Sequence, residues 1–194
     1  MSRNNLDIKI GEKIIKEFII WLGLDINSPG LKDTPKRIAK YYLEAFEGLY
    51  TNKPKITVFE SENKLDYVCV SNIPIVSWCE HHLLPFTGKC GVVYFSKEKK
   101  LIGLSKIVRL VNYYCARPNT QENLTSTIAD ELMNLKEIKM EGVYVIITAQ
   151  HTCMTVRGVK AKGSFTNTAA IRGDIDKKEA IELLEINNFF NIME

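Results

Sequence analysis

The sequence predicts an α+β fold: an antiparallel sheet backed by helices, with a helical segment at the N-terminus. Three observations lead there. Apolar residues recur at helical spacing near the start of the chain and again beyond residue 105. Runs alternating with period 2, rich in Val, Ile, Tyr and Thr, gather between residues 55 and 103 and again after Gly142. The elements come in groups, helices then strands then helices, and not as repeated βα units, which favours an antiparallel sheet over a doubly wound parallel one.

Each element has its own signal. Over residues 8–22, Ile8, Ile14, Ile15, Phe18, Ile19 and Leu22 share a helical face, and Gly23 closes the segment. Asp33-Thr34-Pro35 opens a second helix running to about Gly48, with Thr34 as the expected N-cap and Pro35 in the first turn, where its missing N–H costs nothing. Lys55–Phe59, Tyr67–Val70, Ile73–Ser77 and Thr87–Phe95 read as strands, and Leu101–Gly103 as a short return strand after the turn at residues 96–100. Ser105 is the expected N-cap of a helix to about Cys115, broken by Pro118. Another helix starts at Thr120-Gln121-Glu122 and runs to about Leu135. From Gly142 a strand alternates Val143, Val145, Ile147, Ala149, His151, Cys153, Thr155 and Arg157 onto one face, provided it stays regular that far. Asp176-Lys177-Lys178-Glu179 has the form of a capping box before a last helix. Residues 1–50 read as the helical segment and 51–194 as the main domain, the two forming one functional unit.

Composition narrows the function classes. The chain has 194 residues, 45% hydrophobic and 25% charged, as in an ordinary globular protein. A net charge of +3 does not call for nucleic acid, while leaving room for a small anion held by a local cluster. The apolar runs are too short to span a bilayer. Five cysteines, an odd number, and a start without an apolar signal region point to free thiols in a reducing cytoplasm. Cys69 and Cys90 lie in strand-like runs and read as small apolar packers.

The chemistry concentrates at two places. All three histidines stand beside a cysteine, in Cys79-Glu80-His81-His82 and His151-Thr152-Cys153. Thiolate and imidazole are the preferred ligands of zinc, and a catalytic zinc takes three protein ligands and keeps one position open. Two cysteines and one histidine fill that set and leave two histidines to move protons; spacing alone does not choose between His81 and His82 as the ligand. Lys106 and Arg109, three apart at a helix start, suit a phosphate or simply a solvated face, and Arg37 and Lys40 repeat the spacing. Arg157 is placed beside His151 and Cys153 by the strand alternation. Gln121-Glu122 either supplies favourable acid at a helix start or reads the edge of a base, since a carboxylate accepts two N–H donors side by side. The sequence contains no glycine-rich phosphate loop, no zinc deaminase signature and no H-E-x-x-H helix.

Cys79-Glu80-His81-His82, Gly103-Leu104-Ser105-Lys106-Ile107-x-Arg109, Arg117-Pro118-x-x-Gln121-Glu122-x-Leu124-Thr125, His151-x-Cys153-x-x-x-Arg157-Gly158 and Thr34-Pro35-x-Arg37-Ile38-Ala39-Lys40 together resemble GTP cyclohydrolase I, from about residue 10 onward. The resemblance implies a tunnelling fold (T-fold) with residues 51–194 as catalytic domain, a cytoplasmic homodecamer with sites at subunit interfaces, and Zn2+ as cofactor. It implies metal ligation by Cys79, His82 and Cys153, and catalysis by His81 and His151, with Ser105 as candidate for the ribose steps. It implies recognition of the guanine edge by Glu122 with Gln121 beside it. Arg37, Lys40, Lys106, Arg109 and Arg157 match positions around the triphosphate or lining the pocket. The implied reaction is GTP to 7,8-dihydroneopterin triphosphate and formate, the first step of tetrahydrofolate or pterin biosynthesis, and the short N-terminus implies no added regulatory domain. Asn119 stands where the family usually has glutamine, and Phe165 and Asn167 interrupt a Ser/Thr-rich stretch that keeps Ser164, Thr166 and Thr168. Two rivals remain: another metal-dependent purine-nucleotide hydrolase that opens the ring without closing a new one, and a structural zinc module that drives assembly.

Overall fold

The computed structural model describes residues 7–189, in two compact units, residues up to Asn52 and residues from Lys53. The first unit is a pair of helices, α1 (Ile8–Trp21) and α2 (Thr34–Ala45), followed by a single 3-10 turn (Glu47–Leu49). Asp7 caps α1 by accepting from the Lys9 N–H at 2.8 Å. At its other end Gly23 adopts φ +76, the Gly23 N–H bonds the Ile20 carbonyl and the Leu24 N–H bonds the Ile19 carbonyl, which is the Schellman arrangement that glycine permits. The helices approach closely at Gly11 and Ala39. Thr34 does not cap α2. Asp33 already has helical backbone angles, so Thr34 lies inside the helix and its hydroxyl donates back to the Gly30 carbonyl at 3.3 Å.

The second unit is built on a five-stranded sheet of order β5-β2-β3-β6-β7. Its strands are β2 (Val68–Cys79), β3 (Pro85–Ser96), β5 (Pro118–Asn119), β6 (Met140–His151) and β7 (Thr166–Gly173). The β2–β3, β3–β6 and β6–β7 pairs are antiparallel, and the two-residue β5 runs parallel to β2 at Trp78 and Cys79. A separate antiparallel ribbon joins β1 (Val58–Glu60) to β4 (Lys100–Ile102). The α+β expectation holds, with the grouping of elements that suggested it.

Two strand candidates, Tyr67–Val70 and Ile73–Ser77, are one strand. The pairing moves from Val70↔Val92 to Ile73↔Cys90, so β2 carries one extra residue there, and Asn72 takes φ 54 to absorb it. β7 had no counterpart in the sequence reading. It is an edge strand whose sheet-face pattern is mostly polar or small, Thr166, Thr168 and Ala170, so no apolar alternation announces it.

Helices cover both faces of the sheet. α3 (Leu104–Cys115) and α4 (Gln121–Met133) lie on one, where Val92, Tyr94, Val143, Val145 and Ile147 meet Ile107, Leu110, Leu124 and Ile128. α6 (Lys177–Ile186) lies on the other, with Ala180, Leu183 and Leu184 against Val93, Phe95, Tyr144 and Ile146. Successive residues of β3 and β6 thus enter opposite cores, as a sheet buried on both sides requires. Asp176 caps α6 through the Lys178 N–H at 2.8 Å. Thr120 caps α4, accepting from the Asn123 N–H at 3.2 Å. Ser105 does not cap α3; Gly103 occupies the N-cap position, and Ser105 is exposed within the first turn.

One ion pair ties α4 to the edge strand. Arg172 donates through Nε to Asp130 Oδ1 and through Nη2 to Asp130 Oδ2 (3.2 Å) and Ser126 Oγ (2.7 Å). These hydrogen bonds hold the Asp130 carboxyl below the usual range. A depressed carboxyl pKa contributes stability that is present above its unfolded value, about 3.9, and is lost as pH falls through the folded one. The pair is half exposed, so the contribution is below about 1 kcal/mol. Asp130→Asn is expected to lower stability slightly at pH 7 and to flatten the acid limb of a denaturation series below pH 4, leaving stability there nearly unchanged.

Candidate metal and catalytic site

The ends of three strands converge. Trp78 on β2 pairs with Pro85 on β3, and Phe86 on β3 pairs with His151 on β6. Residues 80–84 therefore form the hairpin loop that follows Cys79, the last residue of β2, directly beside the last residue of β6. The loop is tight. The Cys79 N–H bonds the Leu84 carbonyl at 2.9 Å, the His82 and Leu83 N–H groups bond the Cys79 carbonyl, and Leu83 sits at φ 52. A left-handed leucine is strained backbone held by its surroundings. β5 supplies part of that hold. Its Asn119 carbonyl accepts from the Glu80 N–H at 3.0 Å, and its side-chain amide donates to Ser77 Oγ and to the Tyr114 and Arg117 carbonyls, each at 2.9 Å.

The expected straight strand through Arg157 does not occur. β6 ends at His151, and residues Thr152–Thr155 form one helical turn, α5. Thr152 fastens this turn to β3 by donating to the Pro85 carbonyl at 2.6 Å. The turn, and not strand alternation, swings Cys153 toward the hairpin loop.

As a result the ligand atoms of Cys79, His82 and Cys153 all lie within 4.8 Å of one another, a spacing one metal ion can bridge. Cys79 is buried, Cys153 half-buried and His82 exposed, so the group opens to solvent on the histidine side. His82 Nδ1 is 3.5 Å from Cys79 Sγ, and His81 Nδ1 is 3.7 Å from it. Arg157 Nη1 lies 2.7 Å from His82 Nε2. Burial first, and then the neighbouring Cys79 sulfur, push the Cys153 thiol pKa up. Crowding against a second sulfur makes the Cys153 thiol resist ionising, and a bound cation would reverse that by taking a thiolate as ligand. The donor set therefore fits a metal ion.

His151 stands next to this group. Its ring stacks on Phe86 with centroids 4.5 Å apart and planes 13° from parallel, and its Nε2 is 2.8 Å from Gln121 Oε1. Burial lowers its pKa, and the Glu122 carboxylate partly offsets the shift. Glu122 itself is exposed and makes no hydrogen bond or ion pair among the described residues. Gln121 departs from expectation. It is 1% exposed, and its amide nitrogen lies within 3.0 Å of the Ile147 and Thr166 carbonyls and of Thr168 Oγ1. Its side-chain amide is engaged by these protein partners.

The other expected residues stand elsewhere. Ser105, Lys106 and Arg109 are in the first half of α3, which starts where Ile102 donates to Tyr94 Oη and ends where Ser77 donates to the Cys115 carbonyl. α3 is about 18 Å long and runs beside β2 toward Cys79. Its start thus belongs to the end of the sheet remote from the hairpin loop. Within one chain these three residues are not joined to Cys79 and His151. Arg37 and Lys40 are exposed on α2 in the first unit, with Arg37 3.7 Å from Asp33. Phe86, Asn119 and Thr168 are the residues that sequence reasoning did not place at the site. Asn119 stood out only as a departure from a family pattern, and Phe86 carries no local signal at all.

A sequence model of the family described as GTP cyclohydrolase I matches residues 11–188. The chain belongs to the GTP cyclohydrolase I family. It is 42% identical over 180 residues to the GTP cyclohydrolase 1 of Caldanaerobacter subterraneus subsp. tengcongensis, covering 91% of this chain and 95% of that protein. It is 39% identical over 191 residues to that of Lysinibacillus sphaericus, covering 95% and 100%. It is 46% identical over 167 residues to that of Carboxydothermus hydrogenoformans, covering 86% and 84%. Among solved structures, the archaeosine synthase QueF-Like in the apo form aligns with a TM-score of 0.47 and 13% identity, over 59% of this chain and 100% of that one, a likeness too slight to bear on the fold. All five cysteines are free, and no helix among the described residues is long and apolar enough to cross a membrane.

Proposed function

We propose that this chain converts GTP to 7,8-dihydroneopterin triphosphate and formate at a zinc site formed by Cys79, His82 and Cys153. The observation that carries the reading is the cluster of two thiols and one imidazole beside His151, in a chain of the GTP cyclohydrolase I family. Zinc suits a sulfur-and-imidazole set of three, with a fourth position left open. An ion held there would bring the pKa of water at its open position to about 7.

The side chains supply the rest. His151, its pKa lowered by burial, is neutral at pH 7 and takes a proton from water as oxygen bonds to C8 of the guanine. It returns that proton to N7, and the C8–N9 bond opens as the new hydroxyl becomes the formamide carbonyl and its proton passes to N9. A second water cleaves the resulting formamide, releasing formate and a free amine. The ribose then rearranges, and the amine closes on it with loss of water, so one water is consumed overall. His81, exposed on the hairpin loop, serves these later proton transfers. The Glu122 carboxylate, free and exposed at the start of α4, accepts from the N1–H and 2-amino donors of guanine. Arg157 reaches the triphosphate from beside the metal.

Ser105, Lys106 and Arg109 enter through assembly. A homo-oligomer that apposes the start of α3 of one subunit to the hairpin loop of its neighbour would complete the pocket, with Ser105 at the ribose and the cations on the phosphates. Arg37 and Lys40 of α2 are assigned to the same anionic surroundings. A homodecamer with a T-fold core in the cytoplasm is the form that fits this reading and the five free thiols.

Incubation with GTP and Zn2+ is expected to release formate and, after oxidation, a fluorescent pterin. Formate without a pterin would mean ring opening alone, and neither product would mean a scaffold. Cys153→Ser should reduce bound zinc from one per chain to near zero, with activity lost in step; an active, metal-replete variant would reject the ligand set. Glu122→Ala should lose about 1.5–3 kcal/mol of discrimination between GTP and a purine lacking those donors, roughly 10- to 150-fold in relative kcat/KM. An unchanged preference would place base recognition on another residue.

A further inference from the structure

Gln121 is the first residue of α4, fully buried, and its hydrogen bonds form a closed chain. Thr125 Oγ1 donates to the Gln121 carbonyl at 2.8 Å, so its single hydrogen is used. In the 2.6 Å contact between Thr125 Oγ1 and Thr168 Oγ1 the hydrogen must therefore come from Thr168. Thr168 Oγ1 is then an acceptor toward the Gln121 amide, 3.0 Å away. The Ile147 and Thr166 carbonyls can only accept. All three neighbours thus require the NH2 end of the amide, and the oxygen end is left facing His151 at 2.8 Å. An amide oxygen only accepts, so His151 Nε2 must carry the hydrogen.

We propose that Gln121 is a positioning residue that selects the tautomer of His151. The neutral ring holds its hydrogen on Nε2 and offers its lone pair at Nδ1, which has no hydrogen-bond partner among the described residues. Phe86, fully buried and stacked on the ring, fixes the plane in which that lone pair lies. A histidine that both accepts and returns a proton does so through one nitrogen, and Gln121 decides which. The inference rests on the proton-carrying role proposed above for His151.

The test uses the full-length, zinc-loaded protein, wild type beside Gln121→Met, which keeps the shape and removes the amide. Formate release gives kcat and KM, metal analysis gives zinc per chain, and solid-state NMR with ring-15N histidine reads the tautomers. The chain has only three histidines, and His151→Asn identifies the signal to follow. Wild-type His151 should show hydrogen on Nε2 and a bare Nδ1. Gln121→Met should keep its zinc and a KM for GTP within about twofold, lose tenfold or more in kcat, and show mixed tautomers at His151. Hydrogen on Nδ1 in the wild type, an unchanged kcat, or a loss confined to KM would overturn the proposal. Should Gln121→Met not fold, Thr168→Val removes one anchor of the amide: a kcat several-fold lower at constant KM supports the proposal, and an unchanged kcat rejects it. A wild type that yields no formate would fail the functional reading, while the NMR result would still decide the tautomer.

Discussion

Trp78 faces Pro85 across one ladder, and Phe86 faces His151 across the next. That shared register is the constraint on which the site depends, because it brings the end of β2, the start of β3 and the end of β6 to one end of the sheet. Cys79, the hairpin-loop histidines and His151 then need no long-range coincidence to meet. A slip of one residue in either ladder would turn every side chain of a strand to the opposite face and exchange the two cores. The cores make such a slip costly: Val143, Val145 and Ile147 pack under α3 and α4, while Tyr144 and Ile146 pack under α6. Burial on both faces of β3 and β6 thus fixes the chemistry at their ends.

Much of this is legible in the sequence, and the failures have physical causes. Helix starts and stops at Gly23, Thr120 and Asp176 follow from capping chemistry that acts over four residues. Thr34 and Ser105 have the right side chains to cap and do not, because the preceding residues already carry the turn and the helices start one and two residues early. β7 is hidden because an edge strand lined with threonine and alanine makes no hydrophobic signal. The pairing of cysteine and histidine is visible as composition, but its geometry is not: Cys153 reaches Cys79 through a helical turn that alternation could not foresee. Gln121 misleads for a related reason. Its neighbour Glu122 is exposed, and adjacent residues of one helix turn look in different directions.

The local electrostatics agree with the packing. Around the thiol pair there is crowding that a cation relieves, and around His151 there is burial that keeps the ring neutral, tempered by one nearby carboxylate. Elsewhere the buried thiols Cys90 and Cys115 are pushed up by desolvation, so they stay protonated and inert. The sulfurs of Cys79 and Cys153 lie instead at the end of the sheet, where solvent reaches the histidine side of the cluster.

The extra residue in β2 near Asn72 has a consequence for how such chains vary. Upstream of it Val68 and Val70 lean toward α3 and α4 while Cys69 leans toward α6; downstream it is the odd-numbered Ile73 and Ile75 that lean toward α3 and α4. The kink therefore acts as a phase shifter for everything that follows on the strand. Remove that one residue and the ladder becomes regular, with Val70 still opposite Val92 and Ile73 still opposite Cys90, so Cys79 keeps its place; remove two and every later side chain changes face. Gaps between relatives usually settle in exposed loops, but here half-buried Ser71 and exposed Asn72 give the middle of a strand room to lose one residue, and no more, before Cys79 is turned away from its neighbours.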